Sequence, residues 1–291
     1  MLSGFAFLRA RERRIGLMFR LKCSMTADNA IFDFTPGTTP LLISVPHAGT
    51  WIPDELAEAF TARARTLPDT DWHVDKLYEF AGNLGVGVIS ANCSRYLVDL
   101  NRPADDTSLY NSKTTGLFPL IDFMGDPIYH EGRNPDESEC AERLNRYWNP
   151  YHYQLQAELT RLQALHGHAV LLDAHSIASE VPMLFPGKLP DFNLGSNDGA
   201  SAHADLIDRA WTCLRAQPGY SSVLDVRFKG GFITRRYGAP ETDIHALQLE
   251  LSQATYLAMK TEIAIDAAKY RELKFVLQQL VETLAQWKPV A

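Results

Sequence analysis

Short aliphatic runs bounded by turn residues recur along this chain, and between them lie stretches in which apolar positions return every three or four residues. The runs predict strands at 41–45, 86–90, 96–100, 169–173, 222–226 and 246–251, and the second pattern predicts helices over 53–65, 71–83, 137–165, 200–215 and 258–287. Strands alternating with helices imply an α/β fold whose mixed, mostly parallel sheet is covered by helices on both faces. Two stretches without regular periodicity, 103–134 and 179–199, are rich in Gly, Pro, Asp and Asn. Both follow predicted strands that could carry a site, so they are expected to wall a pocket.

Composition narrows the function classes. A net charge of −7 and a pI near 5.7 argue against a nucleic-acid footprint or a polybasic membrane surface, and favour a small-molecule substrate. Cys23, Cys93, Cys140 and Cys213 lie far apart, with no C-x-x-C pair, which points to a reducing cytoplasm rather than a disulfide scaffold. No apolar run reaches the roughly 20 residues of a membrane span. Residues 1–24 carry Arg9, Arg11, Arg13, Arg14 and Arg20 after the apolar Gly4-Phe5-Ala6-Phe7-Leu8, the reverse of a signal peptide's order. The expectation is a non-native or disordered extension over 1–24, a true start at Met25 and a single α/β domain over 25–291.

Candidate chemistry gathers at the ends of the predicted strands, where open α/β sheets place their ligands. His47 follows Leu41-Leu42-Ile43-Ser44-Val45-Pro46, and His175 follows Val170-Leu171-Leu172-Asp173-Ala174. Two such histidines and one carboxylate form a donor set for a catalytic divalent metal, zinc above all, with one position left open. The small residues after each histidine, Ala48-Gly49 and Ser176, are expected to let backbone and solvent approach the metal. Asp69-Thr70-Asp71-Trp72-His73-Val74-Asp75 offers the third ligand, and Asp71 is chosen on the argument that it shares a helix face with Asp75, with His73 and Asp75 in reserve. Alternation in Ala246-Leu247-Gln248-Leu249-Glu250-Leu251 sets Glu250 and Gln248 opposite the leucines. A carboxylate desolvated in so apolar a strand is suited to be the general base. Arg102, with Asn101, ends 94–102 and can grip a carboxylate, Arg95 is a second cation beside it, and Arg235 or Arg236 offers another clamp. Nucleophilic catalysis has weaker support: Asp173-Ala174-His175-Ser176 contains the letters of a triad without its usual spacing, no G-x-S-x-G elbow occurs, and Cys93 is the sole cysteine near a site strand.

Taken in order, Ser44 to Gly49, Asp69 to Asp75, Ser94 to Arg102, Asp173 to Ser176 and His245 to Gln253 resemble the N-formylglutamate amidohydrolase family from about Met25 to the C-terminus. The resemblance implies a zinc-peptidase-like (phosphorylase/hydrolase-like) fold related to carboxypeptidases and aspartoacylase. It also implies hydrolysis of N-formyl-L-glutamate to formate and L-glutamate, at the end of histidine degradation. Asp99-Leu100-Asn101-Arg102 resembles the substrate-binding motif of the aspartoacylases. In those relatives a metal-binding glutamate stands three residues after the first histidine; Thr50 takes that place here, so the second ligand must come from elsewhere. The reading that follows has His47, Asp71 and His175 on the metal, Glu250 as base, Arg102 as catalytic cation, and Arg95, Asn101, Arg102, Arg235 and Arg236 as substrate contacts. Close alternatives are deacylation of N-formylaspartate, formiminoglutamate or another N-acyl amino acid, since one methylene changes binding by only roughly 1–3 kcal/mol. A protein of another class, which keeps the fold and only binds an acidic metabolite, would be marked by loss of a ligand or of the base.

Overall fold

The computed structural model describes residues 30–108, 115–258 and 263–289, so the expectation for 1–24 and the start at Met25 lies outside the described residues. Seven strands form one sheet in the order β1-β3-β2-β4-β7-β5-β6: β1 (Phe32–Thr35), β2 (Leu41–Val45), β3 (Gly87–Ala91), β4 (Ala169–Ile177), β5 (Phe192–Gly195), β6 (Ser222–Leu224) and β7 (Ile244–Ser252). The central four, β3, β2, β4 and β7, run parallel. Every residue of β2 and β4 is buried, the pattern of strands covered on both faces. The edges add antiparallel pairing, β1 to β3 and β5 to β7, while β6 runs parallel to β5.

Alternation divides the central strands between two layers. Leu41, Ile43 and Val45 of β2 and Val170, Leu172 and Ala174 of β4 join one apolar cluster with Leu206, Ala210 and Leu214 of α5 (Ala204–Arg215) and with Leu273, Leu277, Leu280 and Leu284 of α7 (Ala267–Gln286). Ser44 and Asp173 fall between those positions, and Ser44 Oγ lies 3.0 Å from Tyr151 Oη of α4 (Asn149–His166). Among the described residues, no helix is long and apolar enough to cross a membrane.

Several predicted elements are altered by tertiary hydrogen bonding. The segment 96–100 is a turn rather than a strand. Ser94 Oγ accepts from Tyr96 N–H at 3.2 Å and Asp99 Oδ1 from Asn101 N–H at 2.9 Å, and such side-chain acceptors compete with a sheet ladder. The predicted helix 53–65 shrinks to α1 (Asp54–Ala57) and a 3₁₀ turn at Ala64–Thr66, because Phe60 between them bridges to Tyr129. The helix 71–83 contracts to α2 (Val74–Leu77) and a 3₁₀ turn at Glu79–Leu84, with His73 held left-handed at φ 61°. The long helical run begins as α3 (Glu137–Arg143) and passes through one π turn, Leu144–Trp148, into α4. A short α6 (Phe232–Tyr237) precedes β7. The last helix starts at Ala267, where the Asp266 carboxylate accepts from the N–H groups of Ala268 and Lys269. Two strands escaped the sequence pattern: β1, whose burial alternates at the sheet edge, and β5, which lies inside the expected loop 179–199.

Candidate metal centre and active-site cavity

Three carboxyl ends of neighbouring strands meet at one place. His47 stands just past β2, and His175 is paired in register with Glu250 across β4 and β7. Asp71 is fastened between them: its backbone N–H donates to the His47 carbonyl at 3.1 Å, and its Oδ2 accepts from Ser176 N–H at 3.1 Å. One ligand atom each from His47, Asp71 and His175 lies within 4.8 Å of the others, and all three residues are buried. Asp71 precedes α2 rather than sitting on it, so the shared-face argument for choosing it fails although the residue does converge with the histidines. Its neighbours diverge: Asp75 is exposed, and the His73 Nε2 is engaged 2.9 Å from the Ile263 carbonyl.

The histidine rings are held from behind. His47 Nε2 lies 2.7 Å from Asp99 Oδ1 and His175 Nε2 lies 3.0 Å from Asp173 Oδ2, while His175 Nδ1 turns to Asp71 Oδ2 at 3.0 Å and His47 Nδ1 stands 3.8 Å from that same oxygen. Each ring thus points one nitrogen at the cluster and gives the other to a carboxylate, the arrangement that fixes the tautomer of metal-binding histidines. Burial presses the His175 imidazolium toward neutrality, but Asp173 and Asp71 together hold its pKa well above the usual range. Burial also lowers His47, with the Arg95 charge adding to the effect and Asp99 opposing it. A proton on His175 between two carboxylates is where positive charge is wanted, and two histidines with one carboxylate are the chemistry of a catalytic zinc set. The residues fit a divalent metal.

Glu250 is 7% exposed, and burial pushes its carboxyl up to about 8, with Asp71 and Asp173 adding to the shift and His175 and Arg95 opposing it. His47, Asp71, His175 and Glu250 line one cavity that is partly open to solvent. Arg95, Asn101 and Arg102 line it as well. Arg95 reaches the wall already engaged, 2.7 Å from Asp99 Oδ2 and 3.6 Å from Asp71 Oδ1, with its guanidinium 4.8 Å from the Phe123 ring centre. Arg102 donates from Nε to the Thr115 carbonyl at 3.0 Å. The Asn101 amide lies 3.3 Å from Asp173 Oδ2 and accepts from Ile233 N–H at 2.8 Å.

Arg235 and Arg236, expected to offer a second clamp, are not among the residues that line this cavity. Helix α6 buries Ile233, Thr234 and Tyr237 and leaves Arg236 exposed: Arg235 Nε donates to the Gly230 carbonyl at 2.8 Å, and Arg236 lies over the Tyr237 ring. The cation contributed from this side is Arg227, for which the sequence offered no signal beyond its place in an irregular stretch. Asp99 and Asp173 also went unrecognised as histidine partners. Alternation could have found Asp173, because it puts residues 173 and 175 on one face of β4. Ser176 lines the cavity as well, but its hydroxyl oxygen accepts from the Tyr256 hydroxyl at 2.7 Å and has no histidine partner among the described residues. Cys93 is buried and its thiol is pushed up to about 12 by burial, the reverse of nucleophilic activation. Gly49 serves packing rather than access to a metal: a Cβ there would stand 2.3 Å from the Cys93 carbonyl oxygen.

Of the loops expected to wall a pocket, 103–134 contributes Phe123 and 179–199 contributes Leu184. Among solved structures, the chain resembles N-formylglutamate amidohydrolase from Ralstonia eutropha JMP134, with a TM-score of 0.74 at 27% identity, covering 88% of this chain and 98% of that one. A gene product of Agrobacterium tumefaciens shares the fold at a TM-score of 0.68 and 16% identity, over 89% of this chain and 96% of its own. The N-formylglutamate deformylases of Pseudomonas aeruginosa and Pseudomonas putida are 48% and 47% identical to it over 257 residues, which span 88% of this chain and 97% and 96% of theirs. The family model for N-formylglutamate amidohydrolase matches residues 39–257, a stretch that contains His47, Asp71, His175 and Glu250, and the chain belongs to that family.

Proposed function

We propose that this chain hydrolyses the formyl amide of N-formyl-L-glutamate, releasing formate and L-glutamate, with zinc held by His47, Asp71 and His175. One observation carries the reading: a two-histidine, one-carboxylate cluster and a desolvated Glu250 face one cavity in a member of this family. A zinc ion held by that donor set would supply Lewis acidity for the hydrolysis. Glu250, raised to about 8, takes the water's proton and passes it to the departing glutamate nitrogen. Asp99 and Asp173 keep the rings of His47 and His175 turned to the cluster. Arg102 and Asn101 hold a substrate carboxylate, while Arg95, paired with Asp99 and close to Asp71, adds positive field where the oxyanion develops. The acidic composition and scattered cysteines support a cytoplasmic enzyme acting on a small carboxylate substrate, and the reaction fits the last step of histidine degradation.

Formate release from N-formyl-L-glutamate by purified protein, before and after chelation and after zinc restoration, tests the reading, with N-formylaspartate, formiminoglutamate and N-acetylglutamate run beside it. Chelator-sensitive release that favours N-formylglutamate is the expected result. Activity that survives complete metal removal would overturn the zinc mechanism, and preference for another acyl donor would overturn the substrate.

A further inference from the structure

Three guanidinium groups line the cavity, and they differ in what they already hold. Arg95 is paired with Asp99 and Asp71, and Arg102 donates to the Thr115 carbonyl. Arg227 stands apart: its Nε is buried and makes no hydrogen bond among the described residues, and no carboxylate of theirs pairs with it. A buried N–H without an acceptor is costly and is retained where something else satisfies it.

Arg227 is also held still. It lies in the loop between β6 and α6, which is hydrogen-bonded on both sides of the arginine, to β5 and the residues just after it and to β7. Ahead of it, Asp225 N–H donates to the Leu194 carbonyl at 2.9 Å, and the Asp225 carboxylate accepts from the backbone N–H and hydroxyl of Ser196. After it, the Lys229 carbonyl accepts from Asn197 N–H at 2.6 Å, and Gly231 N–H donates to Gln248 Oε1 at 2.7 Å. Gly195 allows the close approach, since a Cβ there would stand 2.6 Å from Gly230 N. The Arg227 guanidinium lies 5.6 Å from the Phe228 ring centre, and Phe228 lines the same cavity. A preorganised guanidinium with a vacant Nε–H offers a carboxylate two parallel hydrogen bonds, one from Nε and one from an Nη.

We propose that Arg227 binds the side-chain carboxylate of the substrate and thereby sets the preference for an acidic over a neutral side chain. The inference rests on the deformylase reading above, with Arg102 taking the other carboxylate. It makes the site selective for dicarboxylic N-formyl amino acids, because an amide in place of the distal carboxylate leaves this guanidinium without its anion.

The test compares wild type with Arg227→Met and Arg227→Lys, first confirming by circular dichroism and thermal melting that each is folded. The kcat/KM ratio for N-formyl-L-glutamate over N-formyl-L-glutamine is expected to fall by about 100-fold or more in Arg227→Met. Arg227→Lys should recover only part of it, since an ammonium supplies the charge without the fork. A second readout needs no turnover: calorimetric binding of glutarate against its monoamide should favour glutarate in wild type and lose that preference in Arg227→Met. If wild type hydrolyses N-formyl-L-glutamate but both preferences survive in Arg227→Met, the assignment of Arg227 is wrong and the deformylase reading stands. If wild type releases no formate yet its selectivity for glutarate depends on Arg227, the reaction reading fails and the carboxylate site stands.

Discussion

The adjacent strands β4 and β7 carry buried histidines where they begin and, on β4, where they end, in opposite surroundings. Where the strands begin, His168, just ahead of β4, and His245 of β7 pack against the Trp287 ring at centroid distances of 5.5 and 4.8 Å. Where they end, His175 stands in register with Glu250 and between Asp71 and Asp173. His245 and His175 are alike in exposure, at 2% and 3%, so exposure does not distinguish the two ends. The carboxylates do. With carboxylates at both nitrogens, His175 is held well above the usual range. His245, disfavoured first by burial and then by the His168 charge, is lowered to about 4. The carboxyl end opens into a cavity lined by His47 and His175. A buried histidine becomes a metal-ligand candidate when partners orient its ring and space remains for what it binds.

The largest effects should come from the cluster itself. His175→Ala or Asp71→Ala is expected to remove stoichiometric zinc, measured by elemental analysis, and to lower kcat/KM by about 10³-fold or more. Glu250→Gln should keep the zinc and lose roughly 10²–10⁴ in kcat. At the other end, His245→Asn should leave both quantities within about twofold of wild type. If His245→Asn lost zinc as fully as His175→Ala, the contrast between the two ends would collapse.

Next come the carboxylates behind the rings. Asp173→Asn and Asp99→Asn should each weaken zinc binding by about 10–100-fold, measured by competition with a chromophoric chelator, while thermal unfolding of the metal-free protein changes much less. Asp173 sharpens the comparison further, since it is fully buried and also contacts Ser44 and Asn101. Zinc affinity unchanged in Asp173→Asn would mean that packing alone orients His175.

Legibility in the sequence followed the range of the interactions. The parallel strands could be read because covered strands are apolar throughout, and His47, His175 and Glu250 could be read because strand ends and alternation are local patterns. The turn at 96–100 was not legible, because its hydrogen bonds to Ser94 and Asp99 side chains compete with a ladder that the aliphatic letters favour. Asp71 reached the cluster by a route the helix argument did not contain, a backbone bond to His47 across a loop. Strand β5 was masked by its glycine- and proline-rich surroundings and exists through pairing with β7 and β6. Arg227 was the hardest to foresee: which of several arginines faces the cavity depends on the direction of α6 and on how the loop before it fastens to β5.

The smallest effect is one of stability, and it tests the quiet end of the sheet. His245 Nδ1 accepts from His203 N–H at 3.3 Å, and its Nε2 is buried with no partner among the described residues. Burial, helped by the His168 charge and opposed by Asp243, lowers the ring to about 4, whereas in the unfolded chain it titrates near 6.5. Between those values the unfolded chain takes up a proton that the folded one refuses. The stability this group provides is therefore complete above about pH 6.5 and is lost as pH falls toward 4. Asn at this position can still accept from His203 but cannot titrate. The stability difference between pH 7 and pH 4.5, from urea unfolding with metal removed, should accordingly shrink by about 1–2 kcal/mol in His245→Asn. It should not vanish, because buried His152, lowered to about 3 by burial, pulls in the same direction. An unchanged pH slope would show that His245 takes its proton as readily folded as unfolded, and the end of the sheet against Trp287 would then be wetter than the one that faces the cavity.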